Sequence, residues 1–194
     1  MNENYAQPAM PPGVRENILR GMYLLQSQPD AQVQLLGSGT ILRESIAAAE
    51  LLHNDFNIAA NVWSVTSWSE LRRDGMACAR HNRLNPAAAP RVSHVAALLA
   101  KQAGPAIAAS DHVTAVPDLI RAWVPQRYVT LGTDGYGRSD TRENLRRFFE
   151  MDRYHIVIAA LAALADENKI GKEVVAGAIQ RYGIASDVAA PWER

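Results

Sequence analysis

The sequence predicts an α/β fold of three layers: an open, mostly parallel sheet with helices on both faces, closing in two or three C-terminal helices. Two observations predict it. Short apolar runs at residues 33–37, 58–65, 105–109 and 128–131 are each followed by a stretch compatible with a helix. Beyond them helical patterning continues through residues 154–165 and 170–182. A chain of 194 residues is long enough for one such domain, because a domain of about 150 residues already buries about 70% of the surface its unfolded chain exposes.

In chain order, Pro8, Pro11, Pro12 and Gly13 bar regular helix and central strand, so residues 1–13 read as a linker or arm and residues 14–194 as the single domain. Ile18, Leu19, Met22, Tyr23 and Leu25 share one helical face and predict an amphipathic helix over residues 14–26. The run at 33–37 is a strand closed by Gly37. Ile41, Leu42, Ile46, Ala49 and Leu52 then predict a helix over residues 40–54. The β-branched and aromatic run at 58–65 is the next strand, and Ser67 with Glu70 forms a capping-box signature for the helix after it. Residues 105–109 and 128–131 are two further strands. Gly183 is a natural stop for the last helix.

Composition narrows the function classes. Twenty basic and twenty acidic residues cancel without a long block of either sign, which argues against nucleic-acid and polybasic membrane partners. Residues 1–13 lack a signal peptide's basic start and apolar stretch, and no apolar run reaches membrane-spanning length, so a soluble, cytoplasmic protein is expected. Cys78 stands alone and reads as a buried or semi-buried thiol. The histidines at 53, 81, 94, 112 and 155 show no metal-ligand spacing, so no metal site is expected. Asp111-His112 lacks an accompanying nucleophile motif and reads as capping and surface. Trp63 and Trp68 read as core or interface aromatics.

Two glycine segments remain. Gly37-Ser38-Gly39-Thr40 lies between a strand and a helix, but Leu42 stands where a dinucleotide fingerprint needs its third glycine and no acidic residue ends the next strand. A close turn is the better reading. Leu131-Gly132-Thr133-Asp134-Gly135-Tyr136-Gly137-Arg138-Ser139-Asp140 is more informative, and it runs into a capping signature at Asp140-Thr141-Arg142-Glu143 followed by a stripe of Leu145, Phe148 and Phe149. Loops at the carboxyl ends of parallel strands are where ligands usually bind, so Asp134, Tyr136, Arg138 and Asp140 are the candidate site residues. The competing reading pairs Arg138 with Asp134 or Asp140 in an ordered loop near a domain or subunit boundary, and that reading is favoured.

The residues 33–39, Trp63-Ser64-Val65-Thr66-Ser67 and 131–140, together with Met1-Asn2-Glu3-Asn4-Tyr5 and Gln7-Pro8-Ala9-Met10-Pro11, resemble in order and spacing the C-terminal domain of homodimeric pyruvate dehydrogenase first components. That domain has a transketolase C-terminal-like fold. The resemblance covers essentially the whole chain. It implies a parent that decarboxylates pyruvate on thiamine diphosphate with magnesium and then acetylates the lipoyl group of a partner acyltransferase. It also implies that cofactor and magnesium are held by other domains of the parent, so no catalytic, cofactor-binding or metal residue is assigned to this chain. The expected partners are the preceding domains, a homodimer mate and the lipoyl acyltransferase. On this reading the chain is a piece of a longer protein, expected to be inactive when isolated. The alternative is a free-standing regulatory module that binds a small anion or nucleotide at Gly37 to Thr40 or Gly132 to Arg138. A small oxidoreductase with its own dinucleotide site is disfavoured by Leu42.

Overall fold

The computed structural model describes residue 6 and residues 8–194, so residues 1–5 and 7 of the arm expected at 1–13 lie outside the described residues. In chain order the elements are α1 (Arg15–Leu19), β1 (Met22–Gln26), β2 (Val33–Ser38), α2 (Leu42–Phe56), β3 (Ala60–Val65), α3 (Trp68–Leu84), α4 (His94–Leu99), β4 (Ala106–Ala109), β5 (Tyr128–Leu131), α5 (Arg142–Phe148), α6 (Arg153–Asp166) and α7 (Lys172–Arg181). Short 3-10 turns add Gly39–Ile41, Pro117–Trp123 and Pro191–Glu193. The sheet order is β1-β3-β2-β4-β5. Strands β3, β2, β4 and β5 run parallel, and β1 pairs antiparallel on the outside of β3.

Both faces of the sheet are covered, which is why every residue of β2, β3 and β4 is buried, without the alternation of a half-exposed sheet. Successive side chains still point to opposite sides. Leu35 and Ile107 join Ile41, Leu52, Ile156, Leu161 and Leu164 in a core under α2 and α6. Their neighbours Leu36, Ala106 and Ala108 join Trp63, Trp68, Leu71, Leu99 and Ile120 in a second core under α3 and α4. Each fully buried leucine or isoleucine contributes about 1.5–3 kcal/mol. Trp63 and Trp68 sit in the second core, 2% and 5% exposed. Trp63 Nε1 donates to Gln34 Oε1 at 2.9 Å, and Asn61 Nδ2 donates to the same oxygen at 3.1 Å. These bonds offset the cost of burying polar groups between strands.

The expected helix over residues 14–26 is corrected. It stops at Leu19, and residues 22–26 form edge strand β1. Gly21 holds φ at +104°, and a Cβ there would lie 2.7 Å from the Ser67 carbonyl oxygen. Its own carbonyl accepts from the Thr66 and Ser67 amides, which brings the chain alongside β3. The apolar spacing fits a helix face, but burying Met22 and Tyr23 against β3 outweighs local periodicity. The chain between β4 and β5 forms α-helix nowhere; a 3-10 turn starts at Pro117 instead.

Candidate functional site

Register places the ends of β2, β4 and β5 side by side, so the turns leaving them share one edge of the sheet. Ser38 Oγ donates to Ser110 Oγ at 2.9 Å in a buried pair, and the His112 amide donates to Ser110 Oγ at 3.2 Å. The Thr133 amide donates to the His112 carbonyl at 2.9 Å. Thr133 Oγ1 donates to the Asp111 carbonyl at 3.1 Å. Gly132 makes this approach possible, because a Cβ there would meet the His112 carbonyl oxygen at 2.4 Å. The segment after β4 and the segment after β5 are thereby fastened to each other.

Asp134 completes the fastening. One carboxylate oxygen accepts from the Thr114 amide at 3.1 Å and the other from the Thr114 hydroxyl. Of the two pairings expected from the sequence, Arg138 with Asp134 or with Asp140, the first is corrected, since Thr114 takes the Asp134 carboxylate, while the Arg138 charge acts on Asp140. The Arg138 guanidinium lies over the Phe148 ring, 4.1 Å from its centroid, and Arg194 lies over the same ring at 4.7 Å. Gly135, at φ +120°, lets the loop pass the C-terminal turn, where a Cβ would sit 2.8 Å from the Pro191 carbonyl oxygen. Tyr136 is 84% exposed.

Asp140 accepts from the Thr141 amide at 2.7 Å and from Asn144 Nδ2 at 2.8 Å. The Asn144 bond, then the Thr141 bond, hold its carboxyl below the ordinary range. The N-cap of α5 is Thr141, one residue later than the expected Asp140, and its hydroxyl accepts from the Asn144 amide at 3.3 Å. Of the expected stripe, Phe149 is buried while Leu145 and Phe148 are half-buried. The four candidate residues do not converge on one cavity. Asp134 borders a cleft of ≈ 310 Å³ with Thr114, Glu150 and Trp192. Asp140 borders another of ≈ 350 Å³ with Arg147 and His155.

The other glycine turn has a packing role. A Cβ on Gly37 would lie 2.7 Å from the Leu42 Cα, so its glycine lets α2 approach β2. A cleft of ≈ 220 Å³ lies beside it, between Thr40, Asp111, Thr133 and the apolar residues Ile41, Phe149 and Met151.

Periodicity did not single out the most heavily bonded charge in the domain, Glu44, which is 3% exposed. Its carboxylate accepts from Arg146 Nη1 at 3.0 Å and from the Arg153 amide, Nε and Nη2 at 3.0, 2.9 and 3.1 Å. Burial pushes this carboxyl up, but the bonds and charge of Arg153, with Arg146 adding, outweigh it and leave the group below its ordinary value. A glutamate on the apolar face of α2 was the available signal. Asp152 is built similarly: burial raises it, and its bonds to the His155 amide and Nδ1, at 2.9 and 2.7 Å, bring it below normal.

His94 and Cys78 sit in packing environments. His94 is buried with Nε2 3.2 Å from the Met22 carbonyl oxygen, and burial pushes its basicity down. Burial and Asp74 push the half-buried Cys78 thiol up, opposite to what a reactive thiol needs. Among the described residues no group of three or more His, Cys, Asp or Glu side chains could hold a metal ion. At the carboxyl edge Ser38, Ser110, Thr133 and Asp134 are engaged in holding the loops together. Such a surface can present a contact face.

Residues 21–152 match the family model of the transketolase-like TK C-terminal domain. The chain is 56% identical over 188 residues to a pyruvate dehydrogenase E1 component of Pseudomonas aeruginosa, covering 95% of this chain and 21% of that protein. It is 46% identical over 194 residues to the pyruvate dehydrogenase E1 component of Escherichia coli K12, covering 98% and 22%. The chain thus spans about a fifth of the length of these curated relatives. A transketolase of Pichia stipitis solved with xylulose 5-phosphate superposes with a TM-score of 0.57 at 16% identity, over 79% of this chain and 19% of that one. A split-gene transketolase, described as an inactive β4 tetramer, superposes with a TM-score of 0.51 at 18% identity over 75% and 43%. These two likenesses establish the fold.

Proposed function

Because the chain belongs to the transketolase-like C-terminal domain family, with pyruvate dehydrogenase E1 components among its relatives, we propose that it serves as the assembly domain of such an enzyme. In this reading the parent decarboxylates pyruvate on thiamine diphosphate with magnesium and passes the acetyl group to the lipoyl group of an acyltransferase. The domain supports the parent's dimer in the cytoplasm and supplies no catalytic residue. The observation that carries the reading is the 56% identity over 95% of this chain to one region of an E1 component.

In this reading the cofactor is not held by this chain. The turns at the carboxyl edge close on their own hydroxyls and carbonyls, and the described residues contain no ligand cluster for magnesium. The proposal assigns cofactor and cation to other parts of the parent. The loop bearing Asp134, Tyr136, Arg138 and Asp140 is assigned to a boundary with those parts, because it is ordered by its neighbours yet presents Tyr136 outward. No helix among the described residues is long and apolar enough to cross a membrane.

Titration calorimetry of the chain with thiamine diphosphate and magnesium checks the assignment. No heat of binding is expected, and tight magnesium-dependent binding by this chain alone would overturn it.

A further inference from the structure

Helix α3 has two faces of different character. Trp68, Leu71 and Gly75 are buried in the domain, with Gly75 against the Trp123 ring. At about 100° per residue, Arg72, Arg73, Met76, Arg80, Arg83 and Leu84 fall on an arc of about 120° on the other side. All six are exposed, Met76 by 50% and Leu84 by 56%.

No acidic side chain falls on that arc. The helix's two acids lie outside it, and both are engaged. Glu70 pairs with Arg73 at 3.2 Å. Asp74 accepts from the His94 amide at 2.6 Å and lies 3.8 Å from Arg20. Arg72, Arg80 and Arg83 form no ion pair among the described residues. The chain carries equal numbers of basic and acidic residues, twenty of each, so the excess is local. Arg72 and Arg83 stand about 16 Å apart along the helix axis.

We propose that this arc docks an acidic segment of a partner protein, with Arg72, Arg80 and Arg83 pairing its carboxylates and Met76 and Leu84 receiving its aliphatic side chains. Charge complementarity selects an acidic occupant. The chemistry of the arc selects protein. It bears no aromatic side chain on which bases could stack. The apolar face that a membrane-surface helix would insert is already committed to the core. The site lies outside the carboxyl-edge loops, and the inference goes beyond the assembly role proposed above.

Fluorescence anisotropy of a labelled amphipathic glutamate–leucine peptide with the 194-residue chain tests it, against single-stranded DNA and anionic phosphatidylserine vesicles. The expected result is salt-sensitive peptide binding that weakens by about tenfold or more in R72Q/R80Q/R83Q. The control K101Q/K169Q/K172Q, which removes as many charges elsewhere, should bind like the parent chain. M76S/L84S, which leaves every charge in place, should also bind more weakly. Unchanged binding in either arc variant, equal loss in the lysine control, or tighter binding of DNA or vesicles than of peptide overturns the proposal.

Discussion

Glu44 shows how one side chain can join a helix to two others that follow it by about a hundred residues. It sits on α2 and accepts hydrogen bonds from α5 and α6. Replacing it with glutamine leaves Arg146 and Arg153 without their shared counter-ion. Breaking a buried pair in this way costs about 3–5 kcal/mol, and because Arg153 is 43% exposed we expect about 2–3 kcal/mol for E44Q by urea denaturation at pH 7. The pH dependence follows from the lowered carboxyl. The charged form's stabilisation is complete above the unfolded value near 4.5 and is lost as pH falls through the depressed folded value. The gap between the parent chain and E44Q should therefore close on acidification below about pH 4.5; a gap independent of pH would refute the role of ionisation. Asp134 acts at the same scale. In D134A the Thr114 amide loses its acceptor, a cost of about 1–2 kcal/mol. Amide exchange across residues 132–140 should accelerate while the strands stay protected, and unchanged exchange would mean that the C-terminal turn alone holds the loop.

At the scale of elements, close approach between secondary structures decides the layout. Helix α3 lies on the Pro117–Trp123 turn through Gly75, where a Cβ would come within 2.4 Å of the Trp123 ring. Alanine is the better helix former, so G75A would stabilise α3 were helix propensity dominant. Overpacking dominates here, and we expect a loss of about 2 kcal/mol in thermal unfolding monitored by circular dichroism. Stabilisation by G75A would mean that the turn yields. The same competition explains which elements were legible in sequence. The Ser67 cap of α3 was, since the hydroxyl and the Glu70 amide it accepts are three residues apart, within reach of local spacing. The Gly183 stop of α7 was also, at φ +59°. Strand β1 was not, because Met22 and Tyr23 are placed by a partner strand about forty residues later, not by their immediate neighbours.

For the whole molecule, the proposed assembly role makes an oligomer the expected state. Exposed Tyr136 and Trp192, 84% and 60% accessible, stand near one another where the loop meets the C-terminal turn. Static light scattering of the chain should show self-association, and a clean monomer would argue against a dimer built through this domain alone. The parallel sheet, its two helical layers and the closing helices were readable from residue order, as was the loop at 131–140 on which the family resemblance chiefly rests. Those features are written in spacing over a few residues, which local backbone geometry converts directly into strand, helix and turn. What only the tertiary structure decided is which groups answer each other: Thr114 for Asp134, Phe148 for Arg138, Arg146 and Arg153 for Glu44. These partners stand ten to over a hundred residues apart, and a side chain's partner at that distance depends on how the layers close over the sheet, which no local pattern records.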